Sequence, residues 1–295
     1  MDFRFDETEL MVQKTAYQFA LKELAPRAAQ ADNDGQFGLQ SVRLLADNGY
    51  LGLLVPEEYD GEGLTGFHYM LATEQIARAC LSTAAILGAH NLAVYCLMLM
   101  GTEEQKLHYL PQLASGEKLG AFALTEANTG SDVAAITATA NRQNGEYVID
   151  GVKQFITNGG LASLVVVFAK TDPSRGHRGI SAFVVEQGTP GASVAKEENK
   201  MGIRGTSTAQ LLFENCRVPI DNRVGDEGDG FKLAMMVLDR ARPGVGAQAL
   251  GVAQAALDMA LEYAKERVVF GEPLSNLQAT RFALADMATQ IAGAR

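Results

Sequence analysis

The spacing of apolar residues changes twice along the chain, and the two changes divide it into three blocks. From Asp6 to about Ser115 the apolar positions recur at helical spacing: Leu10, Tyr17, Leu21, Leu24 and Ala28 form one stripe. Asp6 with Glu9 predicts a capping box at the start of this helix, and Pro26 is expected to kink or end it. A second helix is expected through Val42 and Leu45, stopped by Gly49. After the loop Val55-Pro-Glu-Glu-Tyr-Asp-Gly-Glu-Gly63, helices are expected over 67–79 and 84–100, with Gly101 as a stop. Thr102 with Gln105 opens the next one. From about Leu119 to Asp226 the period shortens: 147–149, 164–169, 180–185 and 210–213 are β-rich runs split by Gly, Asn and Pro. From Gly230 the helical period returns. Leu250, Leu257, Leu261, Ala264 and Val268 mark one face of a very long helix that Gly271 is expected to terminate. Leu277, Leu284 and Ile291 mark the next.

An all-α, all-β, all-α order implies segregated layers rather than a wound βαβ sheet. The expected class is α+β: an N-terminal helical domain over 1–118, a middle antiparallel β-domain over 119–228, and a C-terminal helical domain over 229–295. Two long amphipathic helices joined by a short loop are half of a four-helix bundle, and their apolar stripes need partners. The helical pattern runs to Arg295 without a C-cap. The chain therefore reads as C-terminally truncated, with only the first half of the bundle present.

Composition narrows the class of molecule. A chain of 295 residues, 47% apolar and 20% charged, can bury a sizeable core and reads as globular. The apolar run Ala93–Met100 is far too short to span a bilayer. Met1-Asp-Phe-Arg-Phe-Asp6 is mixed in charge and lacks the apolar stretch of a signal or transit peptide. Cys80, Cys96 and Cys216 are scattered, so no disulfide framework or metal spacing is expected, and a reducing cytoplasm is the simplest setting. The net charge of −10 argues against nucleic acid and anionic membrane as partners. A phosphate ligand would have to be held by local donors.

Two short segments carry the candidate chemistry. Leu124-Thr-Glu-Ala-Asn-Thr-Gly-Ser-Asp132 follows an expected strand over 119–124 and turns on residues that free backbone N–H groups and hydroxyls for one ligand. Phe155-Ile-Thr-Asn-Gly159 adds an aromatic face and another hydroxyl. Read locally, both are two β-turns in a sheet protein. Other motifs fall away. Gly61-Glu-Gly-Leu-Thr-Gly66 matches G-x-G-x-x-G but follows a loop containing Pro56, not a strand. Gly225-Asp-Glu-Gly-Asp-Gly230 is acidic and reads as a turn into a helix. His68, His90, His108 and His177 show no metal spacing, and no nucleophile elbow is present. Met98, Met100, Met235 and Met236 read as core filling.

Further segments extend the two turns into a pattern that covers the chain. They are Gly179–Val185, Lys200-Met-Gly-Ile-Arg-Gly-Thr-Ser-Thr208, Val218-Pro219 with Asn222, Gly225–Phe231, Glu266-Arg-Val-Val-Phe-Gly271 with Gln278, and Leu284-Ala-Asp-Met287. Together they resemble the acyl-CoA dehydrogenase family, most closely its short- and medium-chain members. Two departures stand out: Ala127 where the family usually has Pro, and Phe155 where many members have Trp. The resemblance implies FAD as cofactor. It implies that Phe122, Leu124 and Thr125 meet the flavin ring edge, and that Phe155 covers a ring face. Thr157 is implied to bond near the reactive nitrogen, and Gly130 and Ser131 to meet phosphates or the pantetheine arm. Arg267, Phe270 and Gln278 are implied to reach the FAD of a neighbouring subunit, hence a homodimer or homotetramer. Asp239 and Arg242, three apart on one helix face, are implied to touch the CoA part of the substrate. Without the resemblance they read as a solvated ion pair.

The implied reaction is dehydrogenation of a short- or medium-chain acyl-CoA to the 2-enoyl-CoA, with electrons passed to an electron-transfer flavoprotein. It needs donors for a developing enolate and a carboxylate to take the α-proton. In most relatives that glutamate lies beyond the position of Arg295. In a minority it occupies the position of Ala241, which cannot accept a proton. No catalytic base is therefore expected in this chain, and the chain as given is expected to be inactive. Glu126 lies inside the turn motif, and Glu74 reads as a surface helix position. Two alternatives stay open: a non-catalytic flavin- or CoA-binding or dimerising member, and an acyl-CoA oxidase.

Overall fold

The computed structural model describes residues 4–35 and 38–295. Residues 1–3 of the mixed-charge N-terminus lie outside the described residues. The first helix, α1 (Glu7–Phe19), starts at the expected capping box: Asp6 accepts from the Glu9 N–H at 2.8 Å, and Glu9 accepts from the Asp6 N–H at 2.7 Å. Pro26 does not end the helical path. A π-helical turn, Ala20–Leu24, precedes it, and α2 (Ala25–Asp34) carries on from there. Proline lacks an N–H and crowds the carbonyl four residues back, and a wider turn relieves both problems.

Next come α3 (Gly38–Asp47), ended by left-handed Gly49 (φ 74°), then α4 (Gly66–Ala79), α5 (Leu81–Met100) and α6 (Glu103–Ala114). Thr102 and Gln105 form the expected box at the start of α6. The apolar run in α5 is longer than Ala93–Met100. All 20 residues are helical, with mean hydropathy 1.6, so by length and composition α5 could cross a membrane. It is instead the central helix of the N-terminal block, 67% buried.

The middle block is an eight-stranded sheet. Its strands are β1 (Gly120–Ala123), β2 (Thr139–Gln143), β3 (Glu146–Thr157), β4 (Leu164–Lys170), β5 (Ile180–Glu186), β6 (Ala192–Glu197), β7 (Thr208–Pro219) and β8 (Arg223–Val224). They lie in the order β6-β7-β3-β2-β4-β5-β8, with β1 beside β4. The long ladders are antiparallel. The β1–β4 ladder is parallel, and β2 touches β4 in parallel at Thr139 and Lys170. The sheet is thus mixed where the chain leaves β1, builds the β2–β3 hairpin and returns.

The sheet is covered on both faces. Leu164, Val166 and Phe168 join the core shared with the helices. Val165, Val167 and Ala169 join a second core with Tyr147, Phe183 and Phe213. A strand buried on both sides reads as a continuous apolar run, which β4 does.

The last block is α7 (Gly230–Glu266), a two-stranded hairpin β9 (Val268–Val269) and β10 (Glu272–Pro273), and α8 (Gln278–Ala294). The long helix ends at Glu266, not at Gly271. Phe270 (φ 54°) and Gly271 (φ 83°) form the hairpin turn, where positive φ at both central positions matches strand twist. Val268 therefore leaves the helical stripe. α7 packs on α4, α5 and α8. Met259, Tyr263 and Phe282 remain largely exposed.

Candidate functional site

A cavity of about 460 Å³ opens where α4, α5 and α7 meet the ends of β1 and β3. Phe122, Leu124, Thr125 and Gly130 line it from β1 and the turn after it, and Phe155 and Thr157 from the end of β3. Six of the expected residues are thus brought together. Ser131 is exposed beside Gly130. α7 contributes Leu238, Ala241, Val245 and Gln248.

The meeting of the two turns has a local cause. The Gln154 N–H donates to the Thr125 carbonyl at 2.8 Å. Lys153 Nζ donates to the Leu124 carbonyl at 3.1 Å and to Glu126 Oε1 at 2.8 Å. Glu126 also accepts from the Thr137 N–H, the Thr137 hydroxyl and the Ala138 N–H. Burial alone would raise the Glu126 pKa, but the Lys153 charge and these hydrogen bonds hold it below its usual value. For Lys153 burial dominates and lowers the pKa, against the pull of Glu126. Glu126 is thus fully engaged as a structural acceptor.

Beyond this pair β3 slips register against β7 between Lys153 and Ile156. Phe155 there takes φ 58° and is 58% exposed. A bulge of this kind re-aims side chains. Past it, buried Asn158 donates to the carbonyls of Ile86 and Gly120 at 3.0 and 3.1 Å, which ties the turn to α5 and β1. His90 Nδ1 accepts from the Gly120 N–H at 3.1 Å, and burial pushes its pKa down to about 4, so the ring stays neutral. On the far wall Gln248 donates to the Ala84 carbonyl at 3.2 Å. A Cβ on Gly88 would come within 2.9 Å of its amide nitrogen, so a larger residue there would push the Gln248 side chain aside. Sequence reasoning missed Lys153, Asn158, His90 and Gln248, because each acts through a partner far away in the chain.

The remaining expected residues lie elsewhere. Asp239 and Arg242 pair with one another on α7, 70% and 66% exposed, beside the cavity rather than in its lining. Arg267, Phe270 and Gln278 gather at the hairpin between α7 and α8 and are exposed, Phe270 by 93%. From Gln248 to Arg267 the helix path is roughly 28 Å at a rise of 1.5 Å per residue, so this group cannot reach the cavity of its own chain. Glu74 is corrected outright. It is buried and 2.7 Å from Arg295 Nη2, at the edge of a second cavity of about 740 Å³ between α4, α7 and α8. Helix α4 is buried continuously from Leu71 to Ala77, because α7 lies directly across it.

Among the described residues no carboxylate lines the first cavity, and Ala241 does. Its walls are mostly apolar, with two threonine hydroxyls, the tyrosines Tyr69 and Tyr95, the amides of Asn91 and Gln248 and the exposed face of Phe155. This donor set fits a flat heteroaromatic ring with one polar edge, in a cavity of ordinary ligand size.

Three family models match the chain: "Acyl-CoA dehydrogenase, N-terminal domain" over residues 6–117, the middle domain over 121–216 and the C-terminal domain over 228–295. The chain is 46% identical over 297 residues to the acryloyl-CoA reductase (NADH) of Anaerotignum propionicum, covering 100% of this chain and 75% of that protein. It superposes on butyryl-CoA dehydrogenase from Megasphaera elsdenii with a TM-score of 0.96 at 42% identity, covering 99% of this chain and 78% of that one. It superposes with a TM-score of 0.97 at 44% identity on a chain from the work on the electron transferring flavoprotein of Acidaminococcus fermentans, covering 99% and 77%.

Proposed function

This chain belongs to the acyl-CoA dehydrogenase family, and from that premise we propose that its cavity holds the ring of FAD and the acyl end of a short-chain acyl-CoA. The observation that carries this reading is the meeting of Thr125, Phe155 and Thr157 in one mostly apolar cavity against α7. Bound FAD would supply the acceptor for the hydride leaving the β-carbon of the thioester. Phe155 covers one ring face, and Phe122, Leu124, Thr125 and Thr157 meet the ring and its polar edge. Gly130 and Ser131 face phosphates or the pantetheine arm, and Asp239 and Arg242 meet CoA outside the cavity. Apolar walls exclude water, which strengthens every polar contact made to the thioester.

Short chains are favoured because the relatives include an acryloyl-CoA reductase, a butyryl-CoA dehydrogenase and short-chain specific acyl-CoA dehydrogenases. An electron-transfer flavoprotein is the proposed electron partner, supported by the resemblance and by the structural neighbour. Arg267, Phe270 and Gln278 reach across to the FAD of a second copy. FAD-loaded protein titrated with butyryl-CoA and octanoyl-CoA tests the substrate class. Tighter perturbation of the flavin band by butyryl-CoA supports it, and the reverse order rejects it.

A second reading has its own support. Ala241 lines the cavity at the helix position where a minority of the family is expected to carry its glutamate, which supports a chain that binds flavin and acyl-CoA without that base.

A further inference from the structure

Lys153 and Phe155 stand two apart on β3, and in a regular strand they would share a face. Here Lys153 is fully buried and Phe155 is 58% exposed. The change of face falls at the register shift, where Phe155 takes φ 58°. A bulky residue in the left-handed region is strained, and it persists only where its surroundings over-determine it. Those surroundings are specific. Before Phe155, Lys153 holds the Leu124 carbonyl and Glu126, and the Gln154 N–H holds the Thr125 carbonyl. After it, Asn158 is held by α5 and β1. Three successive residues, Leu124, Thr125 and Glu126, are each tied to β3, while Thr125 still lines the cavity.

Stability alone is a weak reason for a buried ion pair. Removing two charges from water is expensive, and an apolar pair of similar volume is often as stable. We propose that the Lys153–Glu126 pair is a positioning device, which clamps the turn over 124–131 onto β3 across the bulge and holds Phe155 and Thr125 in the attitude that the flavin ring requires. The inference rests on the FAD reading above and deepens it.

The chain contains no tryptophan, so Phe155→Trp creates a single reporter at the position in question. Its anisotropy before FAD is added reads the mobility of residue 155, and its quenching by FAD reads affinity. The comparison is Phe155→Trp alone against Phe155→Trp with Glu126→Gln and Lys153→Met, well below either melting temperature. The expected result is lower anisotropy and an FAD dissociation constant raised about tenfold or more. Unchanged anisotropy and affinity, with only the melting temperature lowered, would reduce the pair to a structural role and overturn the proposal. If that variant does not fold, Thr137→Val removes one hydrogen bond to Glu126. It should raise the FAD dissociation constant about threefold with unchanged circular dichroism, and no rise overturns the proposal. A parent that binds no FAD would reject the flavin reading itself. The anisotropy comparison then still decides whether the pair fixes residue 155.

Discussion

Ala241 on α7 and Phe155 on β3 line the same cavity. The helix position expected to carry the proton acceptor in a minority of the family therefore lines the cavity proposed for the flavin ring, and here it bears a methyl group.

Thr157→Ala and Phe155→Ala should each weaken FAD retention, because one removes a hydroxyl at the ring edge and the other an aromatic face. Each change should raise the FAD dissociation constant about tenfold. Fluorescence titration checks this, and affinity equal to the parent in both variants would move the site elsewhere.

Arg267→Ala should loosen FAD and self-association together. Arg267 lies at the exposed hairpin with Phe270 and Gln278, out of reach of its own cavity. Sedimentation with and without FAD measures the coupling. A strictly monomeric protein that still holds FAD would contradict it.

Stability should fall as the pH drops from about 6.5 toward 4. His90 is buried and its pKa is pushed down from 6.5 to about 4. Between those values the unfolded chain takes up a proton that the folded chain refuses, so the contribution is complete above the window and lost within it. Glu126, held below its usual value in the fold, adds a further loss below the ordinary carboxylate range. Urea melts across the window should be steeper in pH for the parent than for His90→Gln. Equal slopes would remove His90 from the account.

Gly251→Val should destabilise the fold by about 1–3 kcal/mol or more. A Cβ there would lie 2.2 Å from the Glu74 carbonyl oxygen, backbone that cannot move aside alone. A denaturant midpoint equal to the parent would contradict the close α4–α7 crossing.

What could be read in the sequence was local or periodic. The boxes at Asp6–Glu9 and Thr102–Gln105 each span three residues and form as expected. The two changes of period mark where helices give way to sheet and return. Leu257 and Ala264 are buried on the expected α7 stripe. The omissions and misreadings depended on distant partners. Lys153 sits where a solvent-facing charge would look the same, and only its partner Glu126 explains its burial. Glu74 looked exposed because its cover comes from α7 and from Arg295. Gly271 carried the right signal, a left-handed glycine, for a hairpin instead of a helix end. The cavity was legible on its β1 and β3 sides through the family resemblance. Its Gln248–Ala84 wall was not.

The most direct test mixes the FAD-loaded chain with butyryl-CoA without oxygen and follows the flavin band. The account predicts that the band shifts on binding but bleaches slowly or not at all, because among the described residues no carboxylate lines the cavity. Ala241→Glu, which places a carboxylate in the cavity, should speed bleaching by roughly 10²–10⁴. Fast bleaching by the unmodified chain would show that a proton acceptor is already present and would contradict the account.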